Sequence, residues 1–386
     1  MTNDYYLTDQ SPTTMTIENR LTSDYEKKRL LSLDFMRGFI MVLLALESTG
    51  LYEHLDEATH GMLLNGLIQQ LFHHSWNGLH FWDLIQPGFM FMAGTAMAYS
   101  LHRQQQYGVA WWTSFKKILR RCAWLFFFGV LDYAVRPKGL SFELWDVLTQ
   151  LSFTLLVAFL LFRLPALQQI IACMLLLILT EILYRFTNVP GFDQPFTDQH
   201  NFGNYMDLLL MNKINKGGWV AINCLPTALH TIAGSLVGKL LLSEQKSKIR
   251  LMLLWAAPLL VAGYALDLAE ITPIIKKIAT TSFTLVSLGW CLLGLSFCYW
   301  WIDVSNHKKH LLFFLVLGMN SLFIYLFFEI VGARWFNGYV AAITNGLMMK
   351  AGIPVVITGI ITSLCIFALE WKLCYFLFKR KIFLKV

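Results

Sequence analysis

The sequence predicts an all-α protein, a polytopic membrane bundle of about ten transmembrane helices. Of its 386 residues, 56% are hydrophobic and only 14% are charged, whereas soluble domains carry about 25% charged residues. The apolar residues form runs of roughly 20, the length that crosses the hydrocarbon core of a bilayer. Aromatic residues, 15% of the chain, are frequent at the ends of these runs, where they anchor helices at the interface.

Ten apolar segments are long enough to be spans. Residues 1–26 precede them and are polar, which predicts a loose cytoplasmic tail without the apolar stretch of a cleavable signal peptide. We find no repeat or low-complexity linker, so residues 27–386 are predicted to form a single transmembrane domain. The predicted spans are 36–52, 80–101, 118–135, 146–163, 167–186, 219–242, 251–269, 279–302, 311–331 and 353–377.

The distribution of basic residues predicts the orientation. If the amino terminus is cytoplasmic, most of the 31 Lys and Arg residues fall in cytoplasmic segments, as the positive-inside rule requires. Both termini are then cytoplasmic. The net charge of +7 is explained by these short clusters, and the absence of an extended basic face argues against a nucleic-acid partner.

The seven cysteines predict neither a disulfide framework nor a metal site. None of them forms a CxxC pair, and most lie within apolar segments. Buried cysteines of this kind behave as small hydrophobic residues.

The densest polar cluster, 72–83, lies at the outer mouth of the second predicted span. A neutral imidazole of His73 or His74 would accept a proton at neutral pH, as a general base does. Asp83 enters an apolar run and needs a partner, and a histidine of the same loop is one candidate that it would orient. Trp76 and Asn77 belong to the same cluster. Two structural alternatives stay open: an interfacial loop at the headgroups, and a carboxylate that stabilises a helix N-terminus.

Two outer connections, Tyr52 to Leu79 and Thr187 to Gly218, are longer than the fold requires. Long loops in compact domains are often functional. We expect them to cover or shape a cleft on the outer side.

The first predicted helix carries polar residues at both ends. Asp34 and Arg37 are three residues apart and share a helix face, and Arg37 would hold a phosphate or simply extend to the membrane edge. Glu47 and Ser48 lie late in this helix. An acid in an apolar segment is a functional candidate, and the alternative is a glutamate near enough to the surface to stay hydrated.

Polar residues recur in later spans. Asn223 and His230 lie in the sixth predicted span, and Asn320 lies in the ninth. They are candidate substrate-binding residues, with satisfied structural groups as the alternative.

A basic cluster opens the third predicted span. Its members would attract the phosphates of a nucleotide such as coenzyme A, and the alternative is ordinary positive-inside charge. The cluster consists of Lys116, Lys117, Arg120 and Arg121.

Several motifs resemble the heparan-alpha-glucosaminide N-acetyltransferase family. The strongest are Arg29-Leu30-Leu31-Ser32-Leu33-Asp34-Phe35-Met36-Arg37-Gly38 and His73-His74-Ser75-Trp76-Asn77-Gly78-Leu79, with Asp83. Weaker similarities are Asn223–Ala228 to the family's "TLP" helix, Lys276–Phe283 to its "W-T-S-S-F" segment, and Gly318–Tyr325 to its "G-M-N-S/A" helix. These segments occur in order from residue 29 to about residue 330.

The resemblance implies an acetyltransferase of the bacterial inner membrane. Acetyl-CoA would bind from the cytosol, and its acetyl group would reach an amino sugar or sugar hydroxyl of a glycan on the other side. The family's active histidine falls on His73, and its first-motif acid and arginine fall on Asp34 and Arg37. Membrane lipid and the glycan acceptor are the expected partners, and a homodimer is one assembly open to the chain.

The predicted site follows from the motifs and the polar residues together. The predicted catalytic residues are His73, Asp83, Glu47 and Ser48. The predicted substrate-binding residues are His74, Trp76, Asn77, Asn223, His230 and Asn320. The predicted cofactor-binding residues are Asp34, Arg37, Lys116, Lys117, Arg120 and Arg121.

The chain departs from the family pattern at two positions. Ser48, preceded by Glu47, stands where the family has an asparagine, and Gln150 stands where it has an arginine. Two other functions stay open. Ten helices with intramembrane acids also suit a transporter or flippase of a polar or lipid-linked solute, and a third possibility is a protein that only binds a glycan or partner.

Overall fold

A computed structural model describes residues 30–136 and 140–384 of the chain. This part is 74% helical and contains no strand, which confirms the all-α prediction. The predicted tail, 1–26, lies outside the described residues. The helices are α1 Leu31–Ser48, α2 Leu51–Thr59, α3 Ile85–Gln106, α4 Trp111–Ala134, α5 Val147–Leu161, α6 Ala166–Phe186, α7 Phe202–Met211, α8 Cys224–Leu242, α9 Lys248–Leu268, α10 Thr281–Cys298, α11 Leu312–Met319, α12 Ser321–Leu326, α13 Asn337–Lys350 and α14 Val355–Lys379.

The prediction of about ten spans is confirmed in part. Within the described ranges, five helices are long and apolar enough to cross a membrane: Ala166–Phe186, Ala221–Leu242, Lys248–Leu268, Thr281–Val304 and Val355–Lys379. The bent pair Leu312–Met319 and Ser321–Lys350 would make a sixth. The chain is therefore a helical membrane protein with at least these apolar helices.

The first four predicted spans are helical, but they do not pass as spans by length and composition. Helix α5 has only 15 residues. Helix α3 ends in the polar run His102–Gln106, and α4 carries the basic cluster of residues 116–121 in its first half. Polar side chains at the ends of these helices lower their mean hydropathy without disturbing the helix.

The predicted boundaries of the ninth span, 311–331, are wrong. The helix breaks at Asn320, where its axis bends by 74°, and then continues through a π-helix, Phe327–Phe336, into α13. The Asn320 amide donates to the carbonyl of Ile382 at 3.0 Å, and its oxygen accepts from the backbone N–H of Leu384 at 3.0 Å. The Asn320 side chain at the break thus anchors the segment that follows α14.

Helices α3 and α8 pack with direct backbone contact. A Cβ atom on Gly94 would collide with the carbonyl of Thr231, and one on Gly234 would collide with the carbonyl of Phe91. Small residues permit this close approach between helices in a membrane. The Thr95 hydroxyl donates across the interface to the Gly234 carbonyl at 3.0 Å.

The bundle has two chemically different ends. The histidine end is defined by the C-terminus of α1 at Ser48 and the loop 72–80 before α3. The basic end is defined by the N-terminus of α1 at Leu31 and the N-terminal half of α4. The 18 residues of α1 connect them over about 27 Å at 1.5 Å per residue.

Candidate active site

His73 and Asp83 are in direct contact at the histidine end. The His73 Nδ1 atom lies 3.0 Å from the Asp83 Oδ1 atom. The His73 side chain is 41% exposed, whereas that of Asp83 is only 1% exposed. A buried carboxylate therefore holds the Nδ1 atom of a partly exposed imidazole.

The second oxygen of Asp83 is held by the backbone. Its Oδ2 atom accepts from the N–H of His80 at 2.9 Å and from the N–H of His74 at 3.2 Å. Burial would raise the pKa of Asp83, but the His73 hydrogen bond, the Lys276 ammonium and the His80 N–H together hold it below its usual value. Asp83 is thus an ionised, fixed orienting group.

Lys276 is the third member of the site, and it comes from the loop before α10. Its Nζ atom lies 3.0 Å from His73 Nδ1 and 3.5 Å from Asp83 Oδ1, and it stands over the Trp219 ring at 5.3 Å from the centroid. Burial lowers the pKa of Lys276 to about 8, although the Asp83 carboxylate opposes this shift.

The Nδ1 atom of His73 has two competing partners. When it carries a proton it donates to Asp83, and Nε2 then has a free lone pair. When it lacks a proton it accepts from Lys276, and Nε2 then carries the proton. Partial burial, followed by the Lys276 charge, lowers the pKa of His73, so its ring is neutral at pH 7.

Two loops distant in sequence form this arrangement. The N–H of Gly78 donates to the carbonyl of Ile274 at 2.8 Å, and the Lys277 ammonium donates to the carbonyl of Ser75 at 2.7 Å. The outer connection from Thr187 to Gly218 joins them because the Trp76 indole donates to the carbonyl of Phe196 at 2.8 Å. The long outer loops therefore position His73, although Trp76 itself is a structural contact and does not line the cavity.

A cavity of about 240 Å³ lies beneath His73. It is bounded by α1, α3, α4, α5 and the helix 321–336. Ligand pockets commonly combine aromatic walls with a few placed polar groups. Its lining includes Glu47, His73, Trp82, Gln86, Phe89, Asp132, Tyr133, Arg136, Trp145, Asp146, Trp219, Lys276, Tyr325 and Glu329.

Two of the cavity carboxylates are already paired. Asp132 accepts from Arg136 at 2.8 Å and lies 3.4 Å from Arg334. Asp146 accepts from the Tyr325 hydroxyl at 2.9 Å and caps α5 through the N–H of Leu148 at 2.7 Å. These pairs fix the cavity wall.

Gln150 lies beside this wall. Its side-chain oxygen accepts a hydrogen bond from Gln86, and its amide donates to the carbonyl of Trp145 at 3.3 Å. Gln86 and Gln150 therefore form a neutral amide pair at this position.

Glu47 and Ser48 have different positions, although they are adjacent. Glu47 lines the cavity. The Ser48 hydroxyl donates to the carbonyl of Ala45 in its own helix at 2.8 Å, and its carbonyl accepts from the Asn337 amide at 2.8 Å. The structure does not place the Ser48 side chain in the candidate site.

The remaining loop candidates do not line the cavity. His74 stacks edge-on against His80 with ring centroids 4.8 Å apart, and Asn77 is exposed at the surface. Their proximity to His73 in sequence does not place their side chains beside it.

The candidates in later spans are structural contacts. His230 is fully buried, and its ring contacts the Ser287 hydroxyl at 2.8 Å. The Asn223 amide donates to the carbonyl of Lys277 at 3.3 Å, which supports the loop that carries Lys276. Asn320 holds the segment after α14 and lies away from the cavity.

The predicted cofactor residues divide into two groups at the basic end. Arg37 pairs with the buried Asp34 at 3.5 Å and lies near enough to Arg121 for the two charges to repel each other. The side chains of three other predicted residues are exposed: Lys116, Lys117 and Arg120. Arg37 and Arg121 are therefore the pair that would bind an anion.

Sequence analysis missed Lys276 and most of the cavity wall as site residues. Lys276 lies within a motif that was noted only for its resemblance, in a segment predicted to be on the side with few cations. A lysine on the predicted outer side, where cations are few, is the signal that the sequence offers. Only the fold shows that this lysine contacts His73.

Comparison with protein-family models and with curated proteins finds no match for this chain.

Proposed function

We propose that the protein is a membrane acyltransferase that moves an acetyl group from acetyl-CoA to a sugar amine or hydroxyl at the histidine end. The observation that carries this proposal is the His73 imidazole. It is oriented by a buried carboxylate 3.0 Å away and borders a cavity inside the bundle. Such an orienting contact is typical of histidines that act as bases. The motif similarity to a transmembrane acetyltransferase family gives independent support.

In the direct route, the Nε2 atom of His73 accepts the proton of the acceptor amine or hydroxyl. The acceptor then attacks the thioester carbonyl, the carbon–sulfur bond breaks, and the CoA thiolate leaves with the proton from the imidazolium. Asp83 stabilises the imidazolium through Nδ1–H. In the alternative route, Nε2 itself attacks the thioester carbonyl, the carbon–sulfur bond breaks and the CoA thiolate leaves. The acceptor then attacks the acetyl carbonyl, the bond between the acetyl carbon and Nε2 breaks, and the acceptor's proton passes to the thiolate.

The Lys276 ammonium gives this site a further function. Its Nζ atom lies 3.0 Å from His73 Nδ1, and its positive charge disfavours protonation of the His73 ring to the imidazolium. It therefore keeps His73 neutral and able to act as a base or nucleophile at neutral pH.

The donor has to bring its thioester from the basic end. Arg37 and Arg121 offer two cations for its phosphates. Ten residues of α1 separate Arg37 from Glu47, which is about 15 Å along the helix. On α1 the cavity is lined by Leu44 and Glu47 and not by Arg37, so the proposal includes a local opening of the bundle between Leu44 and Arg37.

The decisive experiment uses the full chain, purified in detergent, with acetyl-labelled acetyl-CoA and two acceptors. Glucosamine offers an amine, whereas N-acetylglucosamine offers only hydroxyls. We expect release of CoA and labelling of an acceptor, and a loss of about 10²–10⁴-fold in the His73→Ala variant, the usual contribution of a positioned base. The His74→Ala variant is the matched control, because its ring lies outside the cavity, and it should retain most activity.

Transport is separated from acyl transfer in proteoliposomes that contain the same protein. Uptake of a sugar without CoA release, unchanged by His73→Ala, would favour a transporter. Full acetyl transfer in the His73→Ala variant would refute the catalytic assignment.

A further inference from the structure

A second cavity, of about 520 Å³, lies away from the candidate active site. It is enclosed by α6, α8, α9 and α10, and its lining shares no residue with the cavity under His73. Its walls are almost entirely apolar and include Met174, Leu236, Trp255 and Leu292. Lys239 is the charged residue of this lining.

This cavity borders the lipid phase. Helices α6 and α9, which flank it, have only 22% and 17% of their membrane windows buried inside the bundle. An apolar cavity does not hold ordered water because water there finds no hydrogen-bond partners. A hydrocarbon chain of the bilayer is therefore the chemically matched occupant.

The cavity reaches the basic end of the bundle. There the first turns of α6 and α9 contribute Ala166 and Leu251, and the last turns of α8 contribute Lys239 and Leu240. From this end the cavity extends along α8 to Leu229.

Charge at the mouth of the cavity selects the headgroup. Residues 162–165 and 239–250 comprise two connections between helices and the adjoining helix ends. They carry five cations and one acid: Arg163, Lys239, Lys246, Lys248, Arg250 and Glu244. The Lys239 ammonium donates to the carbonyl of Phe162 and lies 4.2 Å from the centroid of its ring. An ammonium has three N–H donors, so Lys239 retains donors for a phosphate at the cavity mouth.

We propose that this cavity is a binding site for an anionic phospholipid. One acyl chain fills the space between α6, α8, α9 and α10, and the headgroup phosphate is bound by Lys239. This site is independent of acyl transfer and would exist in a transporter as well.

Native mass spectrometry of the detergent-purified full chain tests the proposal. Phosphatidylglycerol and phosphatidylethanolamine are added at equal concentration, with and without excess inorganic phosphate. We expect retention of phosphatidylglycerol over phosphatidylethanolamine, unaffected by inorganic phosphate. Lys239→Gln should reduce this preference about fivefold, the effect of one cation at a membrane surface. Lys309→Gln is the matched control, because Lys309 is exposed and belongs neither to the cavity lining nor to the charged segments 162–165 and 239–250.

A second variant tests the acyl-chain part of the site. Ala233 lines the cavity, and Ala233→Phe should reduce retention of both lipids by filling the space. Equal retention of the two lipids by the wild type would overturn the proposal, as would an unchanged preference in Lys239→Gln. A lipid-free dimer that is lost in Ala233→Phe would also overturn it, because a second copy would then be the occupant. If Ala233→Phe elutes as an aggregate, the lipid preference of Lys239→Gln decides alone.

Discussion

The middle and the start of α3 differ in how closely they approach their neighbours. In the middle of the helix, Gly94 meets the backbone of α8 with no room for a side chain. At its start, Gln86 and Phe89 face a cavity of about 240 Å³, and Asp83 immediately precedes the helix. One helix therefore joins a close-packed interface to a polar cavity.

This difference shows how a membrane bundle can hold polar groups without losing its packing. Apolar attraction between helices is weak in lipid, so close backbone contact supplies much of the association. The contact between Gly94 and Gly234 fixes α3 against α8. The polar start of α3 is then held at a defined distance from α4 and α5.

The largest effect is expected from Asp83→Asn, which changes a residue beside the cavity and leaves the contact between α3 and α8 unaltered. An asparagine whose oxygen accepts from the His74 and His80 backbone presents its NH₂ group to His73. The His73 Nδ1 atom then becomes an acceptor and Nε2 carries the proton, so the base is lost. Acetyl transfer should fall by about 10²–10⁴-fold, the contribution of a positioned general base.

The control for Asp83→Asn is Asp267→Asn. Asp267 accepts from the N–H of Ile274 at 2.7 Å and so supports the Lys276 loop from the other side. This variant should lose far less activity. An equal loss in both variants would mean that Asp83 only holds the loops together.

The next largest effect is expected at the close-packed interface between α3 and α8. Gly234→Ala places a methyl group against the carbonyl of Phe91, and overpacking of this kind costs about 1–3 kcal/mol. The thermal midpoint of the purified protein should fall, while activity per folded molecule is retained. Gly346→Ala is the matched control, because a Cβ atom there meets nothing within 4 Å. An unchanged midpoint in Gly234→Ala would show that the two helices separate easily.

A smaller and more specific effect is expected from Lys276→Met. His73 acts only when neutral, so the rate falls as the pH drops through its pKa. Removal of the Lys276 charge lets the pKa of His73 rise, because that charge is one cause of its lowering. The acidic limb of kcat/KM should therefore move to higher pH. Lys277→Met should move it less, since Lys277 contributes least to the shift. A limb that stays fixed or moves to lower pH would contradict this function of Lys276.

The helical class was predictable because hydropathy is a local property. Long apolar runs give helices whatever their neighbours are. The ten-span prediction is only partly confirmed because α3 and α4 carry polar residues at their ends and α5 is short. The continuation of the helix from Ser321 to Lys350 was missed because Glu329 and Arg334 lower its hydropathy, and their tertiary contacts cannot be read from the sequence.

The candidate site was predictable only where its residues are close in sequence. His73 and Asp83 are ten residues apart, and a local loop argument could pair them. The contact between His73 and Lys276 spans 203 positions, and no local pattern predicts it. Likewise, Ser48 and Glu47 are neighbours in sequence, but the helix directs only one of them into the cavity.

The smallest effect is expected from Ser48→Ala, and it gives the finest test of the cavity boundary. The Ser48 hydroxyl donates only to the carbonyl of Ala45 among the described residues, a bond within its own helix that contributes little to stability. Activity should change by less than about twofold, as expected for a residue outside a reacting site. Glu47→Gln, one position earlier, removes a carboxyl group that lines the cavity and should raise KM for the acceptor. Steady-state assays could instead show that Ser48→Ala is the more damaging of the two changes. The C-terminal end of α1 would then have to rotate in the working protein, so that the Ser48 side chain lines the cavity.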